Sequence, residues 1–199
     1  SGFLADAGQI GVVLDAISRF AGKDTLVVVD PAMADDGKLY PVFKPDMVTE
    51  MKKLITAATV VTPNYTEACL LTDRPYENKP ATTDELLSLC HSLADMGPKQ
   101  VVITSVPSEE GTIRIACFDA REGTYTDYKV KRIPFATCGT GDLFTSVVTG
   151  SLLSGKSLAE AVKKAASFLS YAIEYTYKQG SDYREGVQVE PCLPKLWEN

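Results

Sequence analysis

The stretch TLVVVD, residues 25–30, is the best guide to the fold. It is a short apolar run, rich in β-branched residues, and it ends in an acid. A parallel strand covered by helices on both faces has this composition, because neither of its sides meets water. The run therefore predicts a buried strand with Asp30 at its carboxyl end.

Similar runs follow along the chain and alternate with helical patterns. ATVVT (58–62) and QVVITS (100–105) repeat the apolar composition, while TIRIACF (112–118) and TYTDYKVKRI (124–133) predict a hairpin. Strands that alternate with helices indicate an α/β fold, with a mostly parallel sheet and helices on both faces.

Helix starts are marked by capping-box spacings, in which a short polar residue precedes Glu or Gln by three positions. Apolar residues at helical spacing follow each of them, as expected for amphipathic helices. The four pairs are Asp6 with Gln9, Asn64 with Glu67, Thr82 with Glu85, and Ser157 with Glu160.

Composition excludes several classes of function. The chain has 199 residues, a formal charge of -6 and no basic stripe, which argues against nucleic acid as a partner. No apolar run is long enough to span a bilayer. The five cysteines are scattered and fit neither a zinc site nor a disulfide framework, so we expect a cytoplasmic protein with reduced thiols. The single histidine, His91, has no partner motif for a Ser-His-Asp mechanism.

The carboxyl edge of the sheet is where an α/β fold binds ligands. Asp30, Thr62, Thr104 and Ser105 end predicted strands and are expected at this edge. The glycine-rich stretch ATCGTGDLFTSVVTG (136–150) opens a helix close to the same edge.

Within that stretch, Gly139, Thr140 and Gly141 stand directly before Asp142. Glycine lets the backbone approach a ligand, and the amides at a helix start attract anions. The motif predicts a phosphate cradle with an acid or base beside it. The alternative is an ordinary turn followed by an acid that the helix dipole favours.

Two further acidic stretches supply possible ligands for a hard cation. DPAMADDGKLY (30–40) gathers carboxylates after the first strand, and TPNYTEACLL (62–71) contains Asn64 and Glu67. Magnesium is usually bound through one or two carboxylates together with substrate phosphates. For Asp36 and Gly37 a solvated turn is the better interpretation, and Asn64 with Glu67 can equally be a helix cap.

DPAMAD, TPNYTEACLL, VVITS and CGTGD, in this order and spacing, resemble the pyridoxal (vitamin B6) kinases of the ribokinase-like superfamily. The resemblance extends over essentially the whole chain and implies a three-layer sandwich, with residues 1–199 forming one kinase domain. It also implies a further N-terminal segment that carries the first strands of the sheet, and a homodimer.

The resemblance implies a role for each motif. Asp142 would be the base that deprotonates the 5'-hydroxyl of pyridoxal or a related vitamer, and the Gly139–Gly141 amides would stabilise the transferring phosphate. Asp35 and Glu67 would lie near Mg²⁺ and the ATP phosphates. Phe3 would pack on the pyridine ring of the substrate.

The remaining assignments concern the nucleotide and a monovalent cation. Asn64, Thr104 and Ser105 would line the nucleotide side, and the stretch 127–135, with Lys129, would flank the adenine. A monovalent cation, K⁺ or Na⁺, would lie near Asp30, Thr62 and Thr104.

Two other functions are compatible with the sequence. A hydroxymethylpyrimidine kinase of thiamine synthesis shares the DP-x-M and TPN-x-x-E signatures, although such enzymes more often read GTGC at the loop. A non-catalytic nucleotide-binding relic of a kinase is the second alternative. Leu143 and Phe144 after Asp142, and the DGKLY run, favour pyridoxal.

Overall fold

In the computed structural model, which describes residues 1–197, a five-stranded sheet lies between two layers of helices. Seven strands are present: β1 (Val28–Val29), β2 (Ala34–Asp35), β3 (Lys38–Leu39), β4 (Val60–Val61), β5 (Gln100–Pro107), β6 (Thr112–Asp119) and β7 (Thr124–Lys131). The large sheet has the order β1-β4-β5-β6-β7, and β2 pairs with β3 in a separate antiparallel hairpin.

Six α-helices cover the sheet: α1 (Ala7–Phe20), α2 (Asp46–Thr56), α3 (Tyr65–Leu71), α4 (Thr83–Asp95), α5 (Thr140–Leu153) and α6 (Leu158–Lys178). Two 3₁₀ segments, Tyr183–Glu185 and Glu190–Leu196, follow α6. Within residues 1–197, none of the helices has the length and apolar character of a membrane span.

The predicted α/β fold and the predicted hairpin of β6 and β7 are confirmed. β1, β4 and β5 run parallel, whereas β5, β6 and β7 pair antiparallel. The parallel part of the sheet is thus the part that carries the predicted site residues. The paired lengths of β1 and β4 are shorter than their apolar runs, at two residues each.

The core lies on both sides of the sheet, because successive residues of a strand point to opposite faces. Val29, Val61 and Val101 belong to one apolar cluster, which packs against α1, α2, α3 and α4. Their neighbours Val28, Val60 and Val102 belong to the other cluster, which packs against α5 and α6. The continuous valine runs are explained by this double burial.

Three of the four predicted capping boxes form with both hydrogen bonds, at the starts of α3, α4 and α6. At α1 only half of the box forms. Asp6 accepts from the Gln9 N–H at 3.1 Å, but the Gln9 side chain accepts from the N–H of Ala5 and not from that of Asp6.

Gly97, between α4 and β5, is required by both backbone conformation and space. Its φ is +145°, and a Cβ at this position would lie 2.6 Å from the backbone oxygen of Thr56 at the end of α2. We expect Gly97→Ala to lower the free energy of unfolding by about 1–3 kcal/mol more than Gly111→Ala, because backbone atoms cannot move aside. Gly111 also has positive φ, but open space surrounds its Cα. Urea denaturation measures both variants, and equal losses would contradict this packing argument.

Candidate active site at the carboxyl edge of the sheet

The carboxyl ends of three parallel strands meet at one edge and bring the predicted strand-end residues together. Asp30 follows β1, Thr62 follows β4, and Thr104 in β5 forms an isolated parallel bridge with Asn64. These side chains line a cleft of about 160 Å³. The cleft is also lined by Asp35, Tyr40, Glu67, Ser105, Thr140 and Gly141.

Glu67 is a buried carboxylate that joins two segments of this edge. Oε1 accepts from the N–H groups of Met33 and Ala34 at 2.9 and 3.3 Å, and Oε2 accepts from the Asn64 N–H at 2.9 Å. The Asn64 side chain in turn donates to the Ala34 carbonyl at 2.7 Å. The capping box predicted for α3 therefore also fixes the segment that leads into β2.

The glycine-rich stretch opens α5 as predicted, with Gly139 as a left-handed N-cap at φ 80° and ψ 3°. The first helical hydrogen bond runs from the Leu143 N–H to the Gly139 oxygen at 3.0 Å. The N–H groups of Thr140, Gly141 and Asp142 precede that bond and have no carbonyl within the helix. They form a group of donors suited to an anion.

This helix start lies directly against the end of β1. A Cβ on Gly141 would lie 3.2 Å from Asp30 Oδ2, and a Cβ on Gly2 would lie 2.6 Å from Asp142 Oδ1. Glycine at both positions lets the backbone approach the two carboxylates closely.

Burial and charge repulsion raise several pKa values at this edge. The pKa of Asp30 is raised to about 7, first by burial and then by the charge of Asp142. Burial and the Asp30 charge raise the pKa of Glu67 to about 8, although the three donated N–H groups oppose this. Burial also raises the pKa of Asp35. Burial at this edge thus favours the protonated form of these carboxyl groups, and a cation bound beside them would favour the ionised form instead.

A second cavity, of about 490 Å³, adjoins the cleft on the side of β5 and β7. Asn64, Ser105 and Thr140 line both spaces. The larger cavity is also bounded by Tyr76, Arg132, Ile133, Phe135 and the segment 107–113. From the stretch 127–135, only the part from Val130 onward reaches it.

Two predicted residues lie apart from these spaces. Lys129 is on the opposite sheet face from Val130 and pairs with Glu109 at 3.1 Å, so the structure does not bring it into the cavity lining. Phe3 is exposed and packs on Phe43, with ring centroids 5.3 Å apart. The turn interpretation of Asp36 and Gly37 is confirmed, since both have positive φ between β2 and β3.

The side chains at this edge fit a metal ion such as magnesium only if water supplies several of its ligands. Within residues 1–197, no three His, Cys, Asp or Glu side chains converge as a metal-binding group. Magnesium in nucleotide sites keeps several waters and takes one or two protein carboxylates, so such a group is not required. Asp35, which is exposed at the cleft, fits this requirement better than Glu67, whose oxygens already accept three N–H groups.

The structure adds three residues to this edge that the sequence analysis did not single out. Tyr40 lines the cleft, and burial together with the charges of Glu67 and Asp35 raises its pKa to about 12. Arg132 lies close enough to Asp35 for its positive charge to oppose, in part, the rise that burial causes in the pKa of that carboxyl. Thr145 contacts Thr62, with their hydroxyl oxygens 2.8 Å apart. Two sequence features could have indicated Tyr40 and Thr145. Tyr40 lies within the acidic stretch, and Thr145 lies three residues after Asp142.

Comparison with known proteins identifies the family. Residues 1–186 match the family model described as phosphomethylpyrimidine kinase, and the chain belongs to this family. A Bacteroides thetaiotaomicron protein, provisionally assigned as a phosphomethylpyrimidine kinase and solved in a crystal form with pyridoxal, is 40% identical. Its TM-score is 0.94, and the alignment covers 99% of this chain and 69% of that one.

Pyridoxal kinases are also among the similar proteins, which confirms the resemblance seen in the motifs. Pyridoxal kinase PdxY of Rubrobacter xylanophilus is 30% identical over 91% of this chain and 62% of its own length. The Bacillus subtilis pyridoxal kinase, solved as an ADP complex, is 26% identical with a TM-score of 0.71, over 86% of this chain and 62% of that one. The chain thus spans about three fifths of the length of the curated relatives it matches.

The raised pKa of Asp30 predicts a pH-dependent stability. The folded state holds this proton up to about pH 7, whereas an unfolded Asp releases it near pH 4. The contribution of Asp30 to stability is therefore present at low pH and is lost as the pH rises from about 4 to 7. Asp30→Asn removes this loss, so the stability of the variant relative to the original protein should increase by about 2–3 kcal/mol between pH 5 and pH 8.

The measurement is urea denaturation of both proteins in a buffer free of sodium and potassium. Asp142 and Glu67 face Asp30 and are the same in both proteins, so the difference isolates Asp30. A difference in stability that stays constant across this pH range would show that Asp30 is ionised in the folded state.

Proposed function

We propose that the intact protein is a pyridoxal kinase, which transfers the terminal phosphate of ATP to the 5'-hydroxyl of pyridoxal, pyridoxamine or pyridoxine. The observation that carries this proposal is the start of α5, where unpaired amides and the Asp142 carboxylate stand side by side above the end of β1. Phosphoryl transfer needs donors for the transferring phosphate and a base for the attacking alcohol, and this helix start offers both.

Asp142 would act as the base. Its side chain is exposed at the helix start, so an alcohol can reach it, and the N–H groups of Thr140 and Gly141 precede the first helical bond. As negative charge develops on the phosphate, preorganised amides stabilise it without reorganisation. Asp142 would hold the hydroxyl by hydrogen bond and take its proton during transfer.

ATP would occupy the two adjoining spaces at the sheet edge. The adenosine part would fit the cavity of about 490 Å³ between Ser105 and Phe135, and the phosphates would enter the cleft next to Asn64 and Thr140. A likeness to an ADP-bound pyridoxal kinase supports this arrangement.

Asp35 would be the direct carboxylate ligand of Mg²⁺, which neutralises phosphate charge when bound. Glu67 would contribute mainly by holding the segment that carries Asp35. Asp30, Thr62 and Thr104 line the same cleft and would take a monovalent cation, K⁺ or Na⁺.

The vitamin would approach from the side of β1. Gly2 and Asp30 lie beside Asp142 on this side, since a Cβ on Gly2 would lie 2.6 Å from Asp142 Oδ1. Phe3 and Phe43 lie at the same side of the molecule, consistent with an aromatic contact to the pyridine ring. Since the chain spans only part of the length of its relatives, we assign this activity to the intact protein, as a cytoplasmic homodimer in which residues 1–199 belong to one kinase domain.

A second candidate is kinase activity on hydroxymethylpyrimidine or its phosphate. The description of the matching family model favours it. The crystal form of the Bacteroides thetaiotaomicron relative with pyridoxal, and the aspartate after the GTG motif followed by Leu143 and Phe144, favour pyridoxal.

A substrate panel distinguishes these activities. At matched Mg-ATP, we expect kcat/KM for pyridoxal to exceed that for hydroxymethylpyrimidine by at least about tenfold, since a site shaped for one ring loses contacts with the other. Coupled detection of ADP measures both reactions. Preference for the pyrimidine would replace the proposed substrate, and turnover of neither compound would favour the non-catalytic relic.

Asp142→Asn tests the base. Asparagine preserves the size of the side chain but cannot accept the proton, so we expect kcat for pyridoxal to fall by about 10²- to 10⁴-fold, while the Kd for ATP changes little. Asp84→Asn is the matched control, because Asp84 is an exposed acid in the first turn of α4. Near-normal turnover by the Asp142 variant would refute the base assignment.

A further inference from the structure

The position of α5 relative to the sheet sets the geometry of the proposed reaction, because this helix carries both the amides and Asp142. Phe144, Val147 and Val148 pack it against the apolar cluster that includes Val28 and Val60. Apolar packing is strong but not directional, so it does not by itself fix the helix along its axis. The N-cap is Gly139, which has no side chain to cap the helix.

One polar contact between α5 and a strand end is directional and can fix the helix along its axis. Thr145 Oγ1 and Thr62 Oγ1 are 2.8 Å apart, and both side chains are at least nine-tenths buried. Thr62 is itself fixed by the hydrogen bond from its N–H to the Val29 oxygen at 3.0 Å. Among the residues described, this is the one side-chain hydrogen bond that joins α5 to the sheet or to a strand end.

The hydroxyl contact between Thr145 and Thr62 lies close to the point where two carboxylates meet at the start of α5. Asp142 lies three residues before Thr145 and therefore on the same side of the helix. Asp30 lies beneath this helix start, because a Cβ on Gly141 would lie 3.2 Å from Asp30 Oδ2, so the Asp30 and Asp142 carboxylates repel each other when both are ionised. The buried hydroxyl pair holds the helix to the end of β4 one turn after this repulsive contact.

We propose that Thr145 is a positioning residue, whose hydroxyl bond to Thr62 holds the first turn of α5 so that Asp142 and the amides face the same reacting group. Thr145 does not touch the substrate in this proposal; it acts through Asp142. The proposal rests on the proposed kinase function. Thr145 lies outside the motif Gly139–Asp142, so that motif alone does not indicate a role for it.

The test uses three variants of the intact protein. Thr145→Val keeps the shape of the side chain and removes the hydroxyl, and Thr145→Ser keeps the hydroxyl. Thr149→Val is the matched control, because Thr149 lies one turn later on the same helix and its hydroxyl donates to the Thr145 carbonyl of that helix, at 2.7 Å. Circular dichroism at the assay temperature establishes that each variant is folded.

We expect Thr145→Val to lower kcat for pyridoxal by about ten- to hundredfold, because small displacements of a catalytic group have effects of this size. The KM for ATP should change less than about twofold, since the nucleotide cavity lies on the far side of the cleft. Thr145→Ser and Thr149→Val should both keep kcat within about twofold of the original protein. An equal loss of kcat in Thr149→Val would show a general effect on α5 and overturn the proposal.

Two further measurements distinguish a positioning role from a role in cation binding and from a wrong choice of substrate. If Thr145→Val changes only the potassium concentration needed for half-maximal activity, the hydroxyl pair serves a cation and not the helix, which also overturns the proposal.

Hydrogen exchange of the amides of residues 140–146 needs no substrate. Faster exchange in Thr145→Val, but not in Thr149→Val, is expected even if pyridoxal proves not to be the substrate, and unchanged exchange in both variants would contradict the positioning role.

Discussion

The buried carboxylate of Glu67 is the interaction on which the candidate site most depends. It accepts N–H groups from the segment after β1 and from the start of α3, so two strand ends are held by one side chain. A buried carboxylate without partners would be strongly destabilising, whereas one with three donated hydrogen bonds fixes the backbone that surrounds it. Asp35 and Asn64 owe their places at the cleft to this arrangement.

A second constraint is the close approach of α5 to the end of β1. Gly141 has no side chain, and the space that a Cβ would occupy is next to Asp30. The anion donors of α5 and the cluster of acids at the strand ends therefore share one edge, although they are separated by about half of the chain. In the proposed function, the acids of this edge and the amides of the helix start would bind a metal ion and its phosphate side by side.

Much of this arrangement could be predicted from local sequence. The valine run before Asp30 indicated a doubly buried strand, and the rule for ligands in α/β sheets then indicated which strand ends would meet. Capping boxes identified the starts of α3, α4 and α6, because their hydrogen bonds are local. Gly139 through Asp142 indicated an anion site, because the amides at a helix start lack partners by geometry.

The contacts that could not be predicted join distant parts of the chain. Nothing near Glu67 in sequence indicates that Met33 and Ala34 donate to it, and Thr62 and Thr145 are 83 residues apart. Lys129 illustrates a different difficulty. Alternation along β7 places Val130 toward α5 and α6 and Lys129 on the other face, so membership of a segment did not imply a place in the cavity. Side-chain direction, rather than proximity in sequence, decides which residues line the site.

The central claim is that the start of α5 and the strand-end cleft form one phosphoryl-transfer site. A crystal structure of the intact protein with a non-hydrolysable ATP analogue, Mg²⁺ and pyridoxal tests it most directly. The account predicts the terminal phosphate within hydrogen-bond distance of the Thr140 and Gly141 amides, and the 5'-hydroxyl about 2.6–3.2 Å from an oxygen of Asp142. A complex with the phosphates bound away from these amides, or with pyridoxal out of reach of Asp142, would contradict it.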